Sequence, residues 1–211
     1  MWYLSVPMAD PFPVPDNLDE ILNDIWTRWV RGGADRRSPF HTPVVATIDG
    51  NGSPAQRVMV LRKVDRQAGV LRFHTDQRST KTDQILANDA ISVVGYDAGA
   101  KIQLRAEGKA AVVHSGPVAD QAWAATSGSG RRSYLTTLAP GSVSDVATSG
   151  LPTAFETAVP TLAESEAGRA NFAIVPVTID RLEWLHLAAT GHRRAAFQRR
   201  DMTWVGQWLI P

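Results

Sequence analysis

The feature that most constrains the fold is a period-two alternation of apolar and polar residues that begins near Phe40. Alternation of this kind is typical of strands with one buried face, and short turns join antiparallel neighbours. The alternating stretches are "TPVVATID", "AQRVMVLRKVD", "GVLRFHT", "AISVVGY", "KIQLRAEGKAAVVH", "NFAIVPVTIDRLEWLHL", "RRAAFQR" and "TWVGQWLI". The sequence therefore predicts a mainly β protein, built as an antiparallel β-barrel rather than a parallel α/β sheet.

A few peripheral helices are predicted beside the barrel. Apolar residues recur at helical spacing over residues 18–30, after the capping candidates Asp16 and Asn17 and before Gly32 and Gly33. This stripe predicts an amphipathic helix that ends at the glycine pair and packs its tryptophans against the sheet. Two shorter helices are predicted, one from Ser79 or Thr80 towards Asn88 and one after "SGPVADQAW".

The domain organisation is predicted to be simple. Four prolines fall between Pro7 and Pro15, so residues 1–16 are expected to form an extended arm, with Met8 as an alternative start. Residues 17–211 are expected to form a single domain that begins with the amphipathic helix. The Ser-, Gly- and Thr-rich segment 126–150 is too long for an ordinary connector, so it is predicted to be either mobile or part of a binding site.

Composition excludes several classes of function. The chain has 22 basic and 21 acidic residues in 211, so no global field favours nucleic acid, and an anion must be bound by a local cluster. The absence of cysteine excludes disulfides, thiolate zinc sites and a cysteine nucleophile, and it favours a cytoplasmic location. No signal-peptide pattern or long apolar run is present, so we expect neither export nor a membrane span.

A cluster of basic and hydroxyl side chains is the strongest functional signal in the sequence. Arg57 and Arg62 lie on one predicted strand, and Ser79, Thr80 and Lys81 open the helix that follows the next strand. Helix N–H groups, hydroxyls and an ammonium together suit a phosphate dianion. Residues 57 and 62 fall on opposite faces of a regular strand, so a shared ligand requires a twist or bulge. The alternative is a Thr80–Asp83 capping box beside a solvated basic face.

Six blocks in order give the sequence a specific resemblance. They are "RVMVLR", "FHTDQRSTK", "IQLRAEGKA", "GRRSYL", "LEWLHL" and "GHRRAAFQRRDMTWVGQWLIP". Over about residues 40–211 the chain resembles the pyridoxamine 5′-phosphate oxidase family of FMN-binding split-barrel flavoproteins. The resemblance implies a split β-barrel, FMN as cofactor, and a homodimer that holds FMN at the subunit interface.

The resemblance also implies a set of cofactor-binding positions. In the family, the strand matching residues 57–62 runs beside the flavin, which adds Val58, Val60 and Arg62 to a phosphate-binding Arg57. The family's Ser-Arg-Lys clamp falls on Ser79, Thr80 and Lys81, so one clamp arginine is a threonine here. The remaining implied contacts are His74, Thr75 and Ser142 from the same chain, with Gln103, Trp184 and Arg194 from the partner chain. No metal site and no protein nucleophile are expected.

The chain departs from the family where substrate phosphate is bound. The family uses, in chain order, a Lys, a Tyr, an Arg, a Ser, a second Arg and a His. The matching positions here are, in the same order, Arg62, Ala125, Ser129, Ser133, Thr190 and His192, so the Tyr and both Arg are lost. Charge-assisted hydrogen bonds are the strong phosphate contacts, so their loss predicts poor binding of a phosphorylated vitamin. Arg131 and Arg132 are neighbouring cations that could compensate.

These positions predict an FMN-dependent oxidoreductase of a small-molecule substrate, with the hydride chemistry supplied by the flavin. A non-catalytic flavin-binding or sensing module is the main alternative, because the same pocket would serve it. A haem-binding split barrel would need a ligand among His74, His114, His186 and His192. A nucleic-acid-binding barrel would use the basic residues Arg193, Arg194, Arg199 and Arg200 beside Phe197 and Trp204, but the near-neutral charge balance argues against it.

Overall fold

The computed structural model describes residues 15–211 and confirms a mainly β architecture with peripheral helices. Most of the predicted N-terminal arm lies outside the described residues, so the division at residue 16 stays a prediction. The strands are β1 (Val44–Ile48), β2 (Pro54–Val58), β3 (Leu61–Asp65), β4 (Val70–Asp76), β5 (Ala90–Asp97), β6 (Ile102–Ala110), β7 (Phe172–His186), β8 (Arg193–Arg200) and β9 (Thr203–Leu209). The α-helices are α1 (Leu18–Ala34), α2 (Thr80–Ala87), α3 (Pro117–Ala124), α4 (Gly128–Arg131) and α5 (Leu162–Ser165). Within this part of the chain, no helix has the length and apolar character needed to cross a membrane.

Helix α1 starts where the sequence predicts and ends later. The side chain of Asn17 accepts hydrogen bonds from the backbone N–H groups of Asp19 and Glu20, at 2.8 and 3.2 Å. The prediction that the glycine pair ends the helix is wrong, because the helix continues to Ala34. A Cβ at Gly32 would lie 2.6 Å from the carbonyl oxygen of Phe40, so this glycine permits close packing rather than a helix end.

The second predicted strand is interrupted, which separates β2 from β3. The N–H of Met59 donates to the carbonyl of Pro43 at 3.0 Å, and that of Leu61 donates to His41 at 2.9 Å. These two bonds continue the register in which Val58 lies opposite Val44, so residues 59–61 pair with residues 41–43. Pro43 has no N–H to return a bond, and the regular ladder is interrupted there. The register with β4 then shifts between Leu61 and Lys63, which places Arg62 at a bulge.

The nine strands form one antiparallel sheet in the order β2-β1-β5-β6-β7-β4-β3, with β8 and β9 attached through β7. Strand β7 is 15 residues long, and its two halves have different neighbours. Its first half pairs with β4 over residues 172–178, and its second half pairs with β8 over residues 181–186. The sheet consequently divides at β7 into two wings that curl around the core.

The core lies between the curled sheet and α1. Ile21, Ile25, Trp26 and Trp29 are at most 1% exposed, which confirms the predicted packing stripe of α1. Burying one large apolar side chain contributes about 1.5–3 kcal/mol, so this stripe supplies most of the energy that holds α1 on the sheet. A second apolar cluster forms under α3 and contains Ala122, Trp123, Tyr134, Phe172 and Ile174.

Candidate functional site

A cation with two hydroxyls lies where β4 meets α2. The ammonium of Lys81 donates to the hydroxyls of Thr75 and Ser79, at 3.1 and 2.9 Å. The structure therefore brings together three of the predicted positions, one from the end of the strand and two from the start of the helix. Together with Arg57 we call these residues the Arg57–Lys81 cluster.

Arg57 reaches the cluster from β2 through the core-facing side of β1. Its guanidinium donates to the hydroxyl of Thr47 at 2.6 Å and to the side-chain oxygen of Gln84 on α2 at 3.1 Å. A weaker contact of 3.4 Å reaches the carbonyl of Val45. All of these acceptors are neutral, so the protein orients the guanidinium without neutralising its charge.

The two cations of the cluster are electrostatically costly as they stand. Burial lowers the pKa of Arg57. Burial also lowers the pKa of Lys81, and the charge of Arg57 lowers it further, while Asp76 opposes the shift. Within residues 15–211 neither cation forms an ion pair, because Asp76 is held by Arg78 at 2.7 Å. Half-buried cations without counterions suit an anionic ligand.

The capping-box alternative is not what the structure contains. The N-cap of α2 is Ser79, its side chain makes no capping hydrogen bond, and Thr80 is the first helical residue. The Ser79 hydroxyl instead donates to the carbonyl of Asp76 at 2.7 Å. The start of α2 therefore lacks a side-chain cap, as expected of a helix end that binds an anion.

The segment 126–150 contributes a wall beside the start of α2. Arg78, already paired with Asp76, donates to the carbonyl and hydroxyl of Thr136 at 3.1 and 3.0 Å. A Cβ at Gly141 would lie 3.8 Å from the Thr80 hydroxyl oxygen, so the turn that contains Ser142 lies against the helix. The predicted Ser142 position is thus next to the cluster, although Ser142 itself is exposed.

His74 lies on the other face of β4 from Thr75, away from the Arg57–Lys81 cluster, and it lines a cavity together with Arg62 of β3. His74 and Thr75 are consecutive in an extended strand, so their side chains point to opposite faces. His74, Arg62 and Val60 line a cavity of about 760 Å³, bounded on its far side by the end of α3 and by α4. The sequence-predicted positions on residues 57–75 therefore form two adjacent groups rather than one.

His74 is held in its neutral form. Burial, followed by the charges of Arg62 and Arg72, lowers its pKa from 6.5 to about 3. Both ring nitrogens are buried without a hydrogen-bond partner, while the ring packs edge-on against Phe172 at a centroid distance of 4.9 Å. A neutral imidazole has one N–H donor and one acceptor nitrogen, so His74 can either donate a hydrogen bond to a ligand or accept one from it.

The three positions predicted to act on a partner's flavin are not all on one face. Gln103 lies opposite Leu185, which lies opposite Arg194, so Gln103 and Arg194 share the outer face of the sheet. Trp184 points the other way and is 0% exposed in the core, with its indole N–H lacking a partner. Val58 lies on the outer face and is 62% exposed. The structure thus joins Gln103 with Arg194 and separates Trp184 from both.

Arg194 is part of a buried charge network. Its guanidinium lies 3.0 Å from the carboxylate of Glu183, which also contacts Arg105 and Arg181. Burial raises the pKa of Glu183, but the hydrogen bond from Arg194 and the charges of Arg105 and Arg181 outweigh it, so the net pKa is lowered. Glu183 therefore stays ionised and fixes the direction of Arg194.

The suggestion that Arg131 or Arg132 replaces the lost phosphate donors is wrong. Arg131 is 5% exposed and is committed to the carbonyls of Trp123 and Thr126 and to the carboxylate of Glu166. Arg132 donates to the carbonyls of residues 155 and 156. Both arginines hold the segment in place, so neither is free to bind a substrate.

The other substrate positions fall in different places. Arg62, Ala125 and Ser129 line the cavity, whereas Ser133 lines a smaller neighbouring depression. Thr190 and His192 are exposed in the connection between β7 and β8. Within the described chain no group of three or more His, Cys, Asp or Glu residues could hold a metal ion.

Part of the chain is similar to a known family of FMN-binding domains. Residues 23–114 match the model of the FMN-binding domain of pyridoxamine 5′-phosphate oxidase. This segment is similar to the FMN-binding domain of that family. It contains most of α1, all of β1–β6 and α2, and therefore the whole Arg57–Lys81 cluster. A curated relative, pyridoxine/pyridoxamine 5′-phosphate oxidase of Yersinia enterocolitica, is 38% identical over 79 residues. That match covers 37% of this chain and 36% of the relative, about a third of its length.

Solved structures show that the FMN-binding fold extends over nearly all of the chain. A pyridoxamine 5′-phosphate oxidase-related, FMN-binding protein from Nostoc punctiforme superposes with a TM-score of 0.70 at 24% identity, covering 90% of this chain and 96% of that one. PhzG from Burkholderia lata, in complex with tetrahydrophenazine-1-carboxylic acid, gives 0.66 at 19% identity, covering 98% and 100%. The curled sheet is therefore the split β-barrel of FMN-binding proteins, as predicted.

Several residues at the site were not predicted from the sequence. Gln84 follows Lys81 by three positions on α2, so helical spacing could have identified it as a neighbour of the cluster. Thr47 required the β1–β2 register, which no local pattern gives. Arg72 could have been found, because it lies two residues before His74 and so shares its face.

Proposed function

We propose that the protein is an FMN-dependent oxidoreductase of a small molecule, with the FMN phosphate bound at the Arg57–Lys81 cluster and the substrate in the cavity beside His74. The observation that carries the proposal is the pair of desolvated cations, Arg57 and Lys81, oriented by neutral oxygens at an uncapped helix start. A terminal phosphate would supply the missing counter-charge. FMN carries such a phosphate, whereas riboflavin does not.

The residues present fit this cofactor. Lys81 and Arg57 would bind the phosphate, with the hydroxyls of Thr75, Ser79 and Thr80 as further partners. The threonine at position 80 replaces a family arginine, so Lys81 and the helix N–H groups carry more of the phosphate charge here. The Ser142 turn, which lies against Thr80, would close this end of the site.

The catalytic contribution of the chain is to bind, orient and exclude water. When bound, the flavin supplies reversible two-electron chemistry by accepting or giving a hydride. His74 would hold a polar group of the substrate through one neutral ring nitrogen, and the aromatic side of Phe172 fixes that ring. Gln103 and Arg194, from a partner subunit, would contact the flavin ring, with Glu183 orienting Arg194.

The substrate is proposed not to be a phosphorylated vitamin, although relatives carry the name pyridoxine/pyridoxamine 5′-phosphate oxidase. The family donors are replaced at Ala125 and Ser129, and Arg131 points into the protein. PhzG, which has a similar fold, is in complex with a carboxylic acid, and this supports a ligand other than a phosphorylated vitamin. A module that binds flavin without turnover remains the competing proposal, which a steady-state assay separates from an enzyme.

The cofactor assignment is tested by titrating FMN and riboflavin into the wild type, Arg57→Met and Lys81→Met, with flavin fluorescence as the readout. Each substitution removes a charged hydrogen bond, so FMN affinity should fall roughly tenfold to a hundredfold while riboflavin affinity stays unchanged. Lys109→Met is the matched control, because Lys109 is an exposed lysine paired with Asp89 at 3.3 Å. Unchanged FMN affinity in both cluster variants would contradict the phosphate site.

Enzymatic function is tested separately with the FMN-loaded protein. Oxidisable amines, organic acids and reduced nicotinamides are mixed with it anaerobically, and bleaching of the flavin absorbance is followed. Bleaching by a substrate, followed by recovery of the absorbance when an electron acceptor is added, is the expected result. A flavin that stays oxidised with every donor, despite tight FMN binding, would favour the non-catalytic module.

A further inference from the structure

A row of cations lines the cavity on the side of the β3–β4 hairpin. Arg36, Lys63 and Arg72 line this side, next to Arg62, and we call these first three residues the cationic wall. No aspartate or glutamate is among the described residues that line the cavity. Across residues 15–211, the wall forms no ion pair and no side-chain hydrogen bond. The family resemblance assigns no role to any of the three positions.

The wall is unfavourable for the protein on its own. Lys63 and Arg72 lie directly opposite each other on β3 and β4, and like charges in that arrangement destabilise a sheet. The Nε atom of Arg72 is buried and has no hydrogen-bond partner. Burial also lowers the pKa of Arg72. Arg72 is half-buried and faces another cation, an arrangement that costs stability unless a ligand supplies the opposite charge.

We propose that the cationic wall binds the anionic group of the substrate, which is therefore a small organic acid. This inference rests on the proposed function, because it takes the cavity as the substrate site. The guanidinium of Arg72 presents donors in a planar fork that matches an oxyanion, and Lys63 adds a point charge beside it. Arg36, Lys63 and Arg72 are not among the family's substrate-phosphate positions, of which Arg62, Ala125 and Ser129 line the same cavity.

The neutral side chain of His74 favours one class of anion over another in this cavity. It lies on the same face of β4 as Arg72, two residues further along, and its ring nitrogens have no partner. An organic acid held at Arg72 would place a neighbouring polar group within reach of the imidazole. A bare inorganic anion would satisfy the wall but leave His74 unsatisfied, so the site favours an anion that carries an organic body.

The test uses the FMN-loaded full chain and three probes: benzoate, phenyl phosphate and neutral benzamide. Binding is measured by calorimetry in the wild type, Arg72→Met and Lys63→Met. Benzoate or phenyl phosphate should bind at millimolar concentration or better, and Arg72→Met should weaken that binding roughly tenfold to a hundredfold. Benzamide should bind at least tenfold more weakly than benzoate. The two anions distinguish a carboxylate substrate from a phosphate ester.

The matched control is Arg66→Met, which removes a cation from the same hairpin whose only described side-chain partner is Asn23 at 2.8 Å. It should leave probe binding unchanged. A second readout is thermal unfolding without anions, where Arg72→Met should raise the midpoint because it removes one of two opposed charges. A purely structural arginine would lower that midpoint.

Three outcomes would overturn the inference. The first would be that neither anion binds at millimolar concentration. The second would be that Arg72→Met and Arg66→Met weaken anion binding equally. The third would be that Arg72→Met weakens FMN binding as much as Lys81→Met does. The last result would place the wall in the cofactor site. A protein that binds benzoate through Arg72 but binds no FMN would contradict the proposed function and leave the wall standing as an anion site.

Discussion

At the residue scale, the site depends on two side chains whose charge states are set by burial. Lys81 is a desolvated cation that the cluster keeps close to Arg57, and His74 is an imidazole that burial and two arginines keep neutral. The two lie on opposite sides of β4 and serve different purposes. Lys81 offers charge to a phosphate, whereas His74 offers a hydrogen bond without charge.

His74 should make the protein less stable in acid. Its pKa falls from 6.5 in the unfolded chain to about 3 in the fold, so below pH 6.5 the unfolded chain binds a proton that the folded protein does not. Stability is therefore lost as the pH falls from 6.5 towards 3, by at most about 1.4 kcal/mol per pH unit from this group. His74→Gln removes the contribution. We expect denaturant unfolding to show a shallower acid loss in His74→Gln than in wild type, and parallel curves would refute the neutral histidine.

At the element scale, the segment after α3 is a built wall rather than a mobile connector. The guanidinium of Arg131 lies 4.4 Å from the ring centroid of Trp123 and bonds to the backbone of the α3 end, which fixes α4 against α3. Because its guanidinium makes these contacts, Arg131 is not available to bind a substrate. The chain thus keeps the family's architecture here while replacing its phosphate donors.

Restoring two family donors should restore binding of pyridoxamine 5′-phosphate. Ala125 and Ser129 line the cavity, so Ala125→Tyr combined with Ser129→Arg adds a hydroxyl and a guanidinium on the α3–α4 side. We expect the double variant to bind this compound at least tenfold more tightly than wild type, measured by competition or by KM. Tight binding and efficient oxidation of pyridoxamine 5′-phosphate by the wild type would show that Arg62 or the cationic wall already binds its phosphate. Ser133→Arg is the control, because Ser133 does not line the cavity.

At the scale of the whole molecule, the outer face of the sheet is suited to a second copy of the chain. Val44, Val58 and Tyr96 are exposed by 36%, 62% and 47%, and they lie on the same face as Gln103 and Arg194. An exposed apolar patch next to fixed polar groups is typical of an interface. The Glu183 network would set the direction of Arg194 before the partner arrives.

We predict a homodimer whose two flavin sites are each built from both subunits. Mixing a Lys81→Ala chain with an Arg194→Ala chain should give heterodimers with one intact site and one doubly damaged site. The measurement is FMN stoichiometry of purified heterodimers at concentrations where both parental homodimers bind poorly. About one tight site per heterodimer is expected, whereas two equally weakened sites, or a monomer with full affinity, would rule out shared sites.

The sequence by itself determined the strands, α1 and the composition of the Arg57–Lys81 cluster. Periodicity carries this information locally, because side-chain direction repeats every two residues in a strand and every 3.6 in a helix. Residues 79–81 could be read as a helix start for the same reason. The resemblance to the family, carried by colinear blocks, supplied FMN as the cofactor.

Only the tertiary structure decided how these residues are grouped. The ladder is interrupted where Met59 pairs with Pro43, and the register with β4 shifts at Arg62, so that Arg57 lies in the cluster while Arg62 lines the cavity. The burial of Trp184 and the ion pair of Arg131 with Glu166 were equally invisible, since each depends on contacts between residues distant in sequence. The same holds for the opposition of Lys63 and Arg72, because strand register is set by the packing of the whole sheet and not by either strand alone.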